Sequence, residues 1–230
     1  MENKANAGRA LAKTSPLGMQ RELLQITAMV TMLIDHVGAV FFPEHIILRM
    51  IGRLAFPLYA FGIVQGYLYT SNVKKYMLRL GLLALISQVP FSLALDANRI
   101  NVIGTFFVCV LTLYWFDRLS SSIGRWTVLG VAIWLLEAVP TDYGNYALAL
   151  IFMYRYAAAH WAVAVHLVLN GLYTLRYGIG VSYQFLSVLS TVWLTTGHAK
   201  QRIIPFAVPR WLWLSFYPAH LLVLAIIKWV

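Results

Sequence analysis

Thr31-Met-Leu-Ile-Asp-His-Val-Gly-Ala-Val-Phe-Phe-Pro43 sets an acid and an imidazole side by side inside an apolar run. The run opens at Leu23 and closes at Pro43, close to the ~20 residues that a helix needs to cross a bilayer. Ionisable groups within a span are costly, so Asp35 and His36 mark a candidate functional site. Their alternative role is a packing contact that only fixes the fold.

Working outward, the whole chain is written for the same solvent. Hydrophobic residues make up 60% and charged residues only 11%, with a mean hydropathy of +0.71; soluble domains carry about 25% charged residues. Only structures that satisfy their own backbone survive in lipid, which predicts an all-α, polytopic transmembrane helix bundle. About nine spans are expected, at 22–42, 48–70, 76–95, 102–117, 126–139, 144–157, 160–175, 181–196 and 211–230. Residues 1–20 read as a polar tail and 21–230 as the membrane domain. The net charge of +10 would suggest nucleic acid in a soluble chain. Here the basic residues fall in short loops, so the expectation is topology and lipid headgroups, with no nucleic acid. With the N-terminus cytoplasmic, thirteen of the 18 Lys and Arg residues lie inside and five outside. That predicts a multi-pass protein of the cell (inner or plasma) membrane with its C-terminus outside.

One cysteine, Cys109, excludes a disulfide framework within the chain and a thiol metal site. HExxH, GxSxG and Walker A patterns are absent, and no metal is expected.

Spacing then sorts the polar residues. Arg21, Gln25, Met32 and His36 follow one another at four, seven and four positions, which places them on one helix face. Arg21 and His36 are then roughly 22 Å apart along the axis. Asp35 points about 100° away from His36, so its partner is expected on another helix, with Arg53 the nearest candidate. In the second span Pro57 is expected to break the helix, and Gly62 and Gly66 to admit a close neighbour, with Gln65 between them. Gln88 and Pro90 suggest a further break. Asn101 and Thr105 share a face, with capping as the simpler role of Asn101. Asp142 lies in the outer turn Pro140-Thr-Asp-Tyr-Gly-Asn-Tyr146. His160, His166 and Asn170 form a polar stripe. In the last span Tyr217, Pro218 and His220 interrupt an apolar run. Lys74, Lys75, Arg79, Lys200, Arg202 and Arg210 gather on the inner side, suited to anionic lipid or to a phosphate-rich cofactor.

Several of these stretches together resemble the TraX family. They are Ile34-Asp-His-Val-Gly-Ala-Val-Phe-Phe-Pro43, Leu48-Arg-Met-Ile-Gly-Arg-Leu-Ala-Phe-Pro57, Ala84-Leu-Ile-Ser-Gln-Val-Pro-Phe91, Asn101-Val102, Asp142-Tyr-Gly144 and Tyr217-Pro-Ala-His-Leu221. They follow the family's order from about Gln20 to Leu222. Family members are known as membrane acetylases of conjugative pilin, which move acetyl from acetyl-CoA to an N-terminal amine. A polar first helix with a deep histidine, followed by a glycine-containing second helix, is more distantly similar to the acyltransferase-3 and heparan-glucosaminide acetyltransferase families. The resemblance implies acetyl-CoA as acyl donor, His36 as catalytic residue, and Asp35 and Arg53 in support.

The residues suit that chemistry. Acyl transfer to an amine needs a base, and histidine titrates near neutral pH. It also needs oxyanion donors, for which Arg53, Gln88, Tyr217 and His220 are candidates. On this reading Arg21, Gln25, Lys74, Lys75, Arg79, Lys200, Arg202 and Arg210 face acyl-CoA. Gln88, Asn101, Asp142 and Tyr217 then face an amine-bearing acceptor: a peptide N-terminus, an antibiotic or a sugar. Two other classes stay open. One is a proton-coupled transporter or exporter with Asp35, His36 and His220 as relay, although no internal repeat is visible. The other is an assembly or anchoring protein of a secretion apparatus.

Overall fold

A computed structural model describes residues 17–196 and 207–230. Its elements are α1 (Leu17–Phe41), α2 (Ile46–Gly52), α3 (Ala55–Tyr69), α4 (Val73–Leu95), α5 (Val102–Arg118), α6 (Ser122–Ala138), α7 (Gly144–Tyr156), α8 (Ala159–Tyr177), a 3-10 helix (Ile179–Leu186), α9 (Ser187–Thr196) and α10 (Arg210–Trp229). No strand occurs among the described residues; Ile100 and Thr141 form an isolated bridge. Four stretches are long and apolar enough to cross a membrane: Arg21–Phe41, Ile46–Tyr69, Val73–Leu95 and Arg210–Trp229. On α4, Leu78, Leu82, Leu85, Ile86, Val89 and Leu93 are exposed at helical spacing, a stripe suited to lipid. The chain is therefore a membrane protein built of packed helices.

Sequence spacing explains the individual boundaries. Asn72, Asn101 and Ser121 each cap a following helix, their side chains accepting from Lys75 N, from Ile103 and Gly104 N, and from Gly124 N. The second span is indeed broken, but not at Pro57. The break falls at Arg53 and Leu54, between α2 and α3. Pro57 is the third residue of α3, where its missing N–H has no intrahelical acceptor to lose. Pro90 also fails to break its helix, since α4 runs on to Leu95. Pro218 likewise lies inside α10.

Packing arranges α1, α3, α4, α5 and α10 around a central space. The ends of α4 and α10 are tied where Lys228 pairs with Asp96 and donates to the carbonyl of Ala94 at 3.2 Å. The connections before α5 and α7 are tied too, Ile100 N donating to Pro140 O and Asp142 N to Ile100 O, both at 2.9 Å. These ties fix the end of the bundle that carries Asp142. Arg21, Arg79 and Arg210 mark the opposite end.

Candidate functional site

Asp35 is the centre of a buried ion cluster. Its carboxylate meets Arg49 Nη1 at 2.8 Å through Oδ2 and Arg53 Nη2 at 3.1 Å through Oδ1. A partner on another helix was expected, and Arg53 is one. Arg49 is a second that spacing did not single out, because its charge reads as loop topology. The pair with Arg53 is a single contact, not a two-pronged fork. Arg53 spends its other terminal nitrogen on Tyr143 Oη at 3.2 Å and Gln184 Oε1 at 3.4 Å, and its Nε on the carbonyl of Arg49 at 3.2 Å. Two guanidinium groups on one carboxylate leave surplus positive charge where water cannot screen it well.

Gly52 makes this approach possible. A Cβ there would lie 2.1–2.3 Å from Asp35 Oδ1, Cβ and Cγ, so any side chain displaces the acid. Tyr143 is held in the left-handed region at φ 64°, an uncommon conformation for a bulky residue. Its ring lies flat on Phe56, centroids 3.7 Å apart and planes 7° apart, which aims its hydroxyl at Arg53.

His36 is joined not to Asp35 but to His220. His36 Nδ1 and His220 Nε2 are 2.7 Å apart. With centroids 5.0 Å apart and planes within 5°, the rings meet edge to edge in one plane. His220 Nδ1 lies 2.6 Å from the carbonyl of Phe216. A carbonyl only accepts, so His220 carries its proton on Nδ1 and offers Nε2 as an acceptor. His36 must then carry its proton on Nδ1, which leaves Nε2 with a free lone pair. Proline at 218, far from ending the helix, sits two residues before His220 inside α10.

A cavity of about 1180 Å³ connects these groups. Arg21, Arg79 and Arg210 line it at one end; Asp35, His36, Arg53 and Tyr217 line its deeper part, with Arg99 and Asp142 beyond them. The predicted face Arg21, Gln25, Met32 and His36 lines it in full. Asp142 pairs with Arg99 at 3.4 Å. Gln25 Oε1, Tyr59 Oη, Gln65 Oε1 and Tyr217 Oη are buried there without a hydrogen-bond partner.

Other expected residues lie elsewhere. Gln88 Oε1 accepts from Asn101 N and Nδ2 at 3.0 and 2.8 Å, and its Nε2 donates to Arg99 O at 2.9 Å. Asn101 Oδ1 in turn caps α5. Both are occupied in holding the helix start and are not among the cavity-lining residues, because amides at a helix entry find backbone partners first. Lys74 and Lys75 are exposed on the first turn of α4, outside the cavity wall. Lys200 and Arg202 lie outside the described residues. Spacing missed Arg49, Gly52, Tyr59, Tyr143 and Gln184. Arg49, Gly52 and Tyr143 had a signal, since each falls inside one of the family-like stretches.

A second buried polar cluster surrounds His166. Its Nε2 meets Tyr146 Oη at 2.8 Å and Ser187 Oγ at 3.1 Å, and its Nδ1 meets Thr191 Oγ1 at 2.7 Å. Asn170 joins through Tyr146 and Ser187.

Comparison with known proteins agrees with the motifs. Residues 20–228 match the family model described as TraX protein. An uncharacterized protein of Rickettsia prowazekii (strain Madrid E) is 26% identical over 138 residues, 58% of this chain and 54% of that protein. A probable fimbrial assembly protein, FimC of serogroup H1 from Dichelobacter nodosus, is 30% identical over 82 residues, 34% of each chain. These alignments thus span about half or less of the relatives' own lengths. No solved structure matches. The family match takes in every helix that walls the cavity, from the arginine of α1 to the histidine of α10, and so the chain belongs to the TraX family.

Proposed function

We propose that this protein is an integral membrane acyltransferase that moves an acetyl or short acyl group from acyl-CoA to an amine. The observation that carries the reading is a cavity joining three arginines at one mouth to a histidine whose Nδ1 is committed and whose Nε2 is free. Phosphates suit the arginines, and a base with a fixed tautomer suits proton removal from an amine.

The step balances on the chain's own groups. The amine nitrogen attacks the thioester carbonyl, and His36 Nε2 takes the amine proton. The oxyanion gathers charge beside Arg53 and Tyr217. Collapse expels the CoA thiolate, which takes the proton from His36, leaving amide and free thiol. His220 keeps His36 in the correct tautomer, and Asp35 with Arg49 holds Arg53. No acyl-enzyme is required.

Charge bias orients the molecule: the Arg21 end faces the cytosol, the chain crosses the inner membrane about nine times, and the C-terminus lies outside. The donor then enters from the cytosol and the acceptor from the Asp142 end. The fimbrial relative makes a pilin-like peptide N-terminus the first acceptor to try. A cavity reaching toward both ends also fits the exporter reading, so the test separates the two. The protein is placed in vesicles with acetyl-CoA outside and a primary-amine peptide inside. Expected are acetylated peptide inside and free CoA outside, with His36→Ala at least about a hundred-fold slower. Movement of unmodified peptide with no acetylation would make it an exporter.

A further inference from the structure

The cavity also opens sideways. Leu82 and Ile86 belong to the exposed apolar stripe of α4, at 50% and 64% exposure, and the same two residues line the cavity. Leu85, on the same stripe, does not line it. The open flank borders α10 and not α5. Gly81 and Ala84 face α5, since a Cβ on Gly81 would lie 3.4 Å from Phe107 and one on Gly104 would lie 3.9 Å from Ala84. Leu82 and Ile86 lie about 100° and 140° round the helix from Gly81. They fall in line with Leu93, whose carbonyl accepts from Trp229 Nε1 of α10 at 3.4 Å. On α10, Leu214 lines the cavity and is 39% exposed. Leu221 and Ala225 share its flank by spacing, yet they are 0% and 3% exposed and do not line the cavity. The two helices therefore part over the half that starts at Arg79 and Arg210, and close above it.

Depth puts the top of this slot beside the histidine pair. Both helices run from the arginine end toward the tie between Asp96 and Lys228. Nine residues back from Trp229 and Leu93 are His220 and Ala84, so Leu82 and Ile86 lie within about 3 Å of the depth of His220. The slot is apolar as well: α4 carries no polar side chain between Arg79 and Ser87. A charged amine is strongly disfavoured in such an opening, whereas a hydrocarbon chain is at home there and in the lipid outside it.

We propose that the slot between α4 and α10 holds the aliphatic tail of the transferred acyl group, with Leu82, Ile86 and Leu214 as its lips, so that the donor is a medium- or long-chain acyl-CoA and not acetyl-CoA alone. This rests on the acyl-CoA reading and names the acyl class for it. With the thioester carbonyl at His36 Nε2, the chain attached to that carbonyl starts at the depth of the slot and leaves through it into the bilayer. The wall it crosses is about one helix thick, ~10 Å, or about eight carbon–carbon bonds on a zigzag. The chemistry is unchanged: the amine nitrogen bonds to the carbonyl carbon, the carbon–sulfur bond breaks, the proton passes by way of His36 to the thiolate, and only the substituent on the carbonyl differs.

The test uses purified full-length protein in vesicles, a primary-amine peptide as acceptor, and acetyl-CoA and octanoyl-CoA as alternative donors, with kcat/KM read for each. A methylene taken from water gains about fourfold, so two seated methylenes suffice for the expected result, octanoyl-CoA at least about tenfold above acetyl-CoA. Leu82→Trp fills the slot and should lower that ratio by about tenfold or more. Leu85→Trp, on the same stripe but off the cavity wall, should leave it. Octanoyl-CoA equal to or below acetyl-CoA in the wild type overturns the tail site and leaves the acyltransferase reading standing. Equal falls in the ratio for Leu82→Trp and Leu85→Trp overturn it too, as an effect of the bilayer. Both donors slowed alike by Leu82→Trp, with the ratio kept, would make the slot the entry of the acceptor and sink the proposal. Transfer from neither donor by the wild type overturns the acyltransferase reading, and the tail site with it. Should Leu82→Trp fail to fold, Leu214→Trp fills the slot from the opposite lip and decides: an unchanged ratio sinks the proposal.

Discussion

His36 and His166 are both buried histidines among apolar helices, and their surroundings differ in one respect. Around His166 every ring nitrogen has a partner among Tyr146, Ser187 and Thr191, Asn170 joins them, and Tyr146 Oη accepts from Gln184 Nε2 at 3.2 Å, which links the network to Arg53. Around His36 one nitrogen is bonded and the other is left free, beside a cavity whose walls carry further orphaned oxygens. A fully partnered network holds helices together. An open one keeps bonding capacity in reserve for something that comes and goes. Burial and residue type do not distinguish the two; the count of unspent donors and acceptors does.

The widest separation should come from removing each histidine. His36→Ala should lower acetyl transfer by a hundred-fold or more, as loss of a general base does, with thermal stability near wild type. His166→Ala should do the reverse, costing roughly 1–2 kcal/mol of stability in a membrane interior while the folded fraction turns over normally. Melting curves paired with initial rates decide it. Equal rate losses for both would erase the distinction drawn between the networks.

Gly52→Ala ranks next, because it tests whether the open site depends on placement. The added methyl must push Asp35 off its arginines, and a displacement near 1 Å can cost about a hundred-fold in rate. A near-normal rate, measured at saturating donor and acceptor, would make the Asp35 cluster a packing feature after all.

His220 offers a finer cut. His220→Phe removes the acceptor for His36 Nδ1 and should cost about tenfold, one hydrogen bond's worth. His220→Gln keeps an acceptor oxygen in reach and should recover most of the rate. Equal losses in the two variants would point to ring packing, and would undo the tautomer argument.

How much of this was readable beforehand follows from the same contrast. Hydropathy marked most helices closely, because lipid exposure leaves long apolar runs: α5 was expected at 102–117 and spans Val102–Arg118. Helical spacing found the face from Arg21 to His36, since one helix carries it whole. What was missed lies between helices. Arg49 was counted as a loop charge, and Gln184 belongs to a 3-10 segment that periodicity does not resolve. The prolines misled for a local reason. Pro57 costs nothing in a first turn, and Pro90 and Pro218 are carried by neighbours packed on both sides of their helices. Gln88 and Asn101 looked like site amides because sequence does not reveal that each is the other's partner.

Arg53→Lys is the smallest and sharpest test. A two-pronged pair with Asp35 would make this exchange severe, because an ammonium cannot reproduce a fork. The observed contact is single, and Arg49 holds the other carboxylate oxygen. Lysine can therefore keep the charge and the ion pair. What it gives up is the second nitrogen, which reaches Tyr143 and Gln184 at 3.2 and 3.4 Å. Those are long contacts, each worth about 1 kcal/mol or less, so the expected loss is only a few-fold. It should appear in the rate constant more than in donor affinity, since the proposed reaction puts Arg53 beside the reacting carbonyl and far from the arginine mouth. Arg53→Met, with the charge gone, should fall much further, to the level of Gly52→Ala. If lysine proves as damaging as methionine, the links to Tyr143 and Gln184 matter more than the charge, and the strained turn at Tyr143 becomes part of the catalytic geometry.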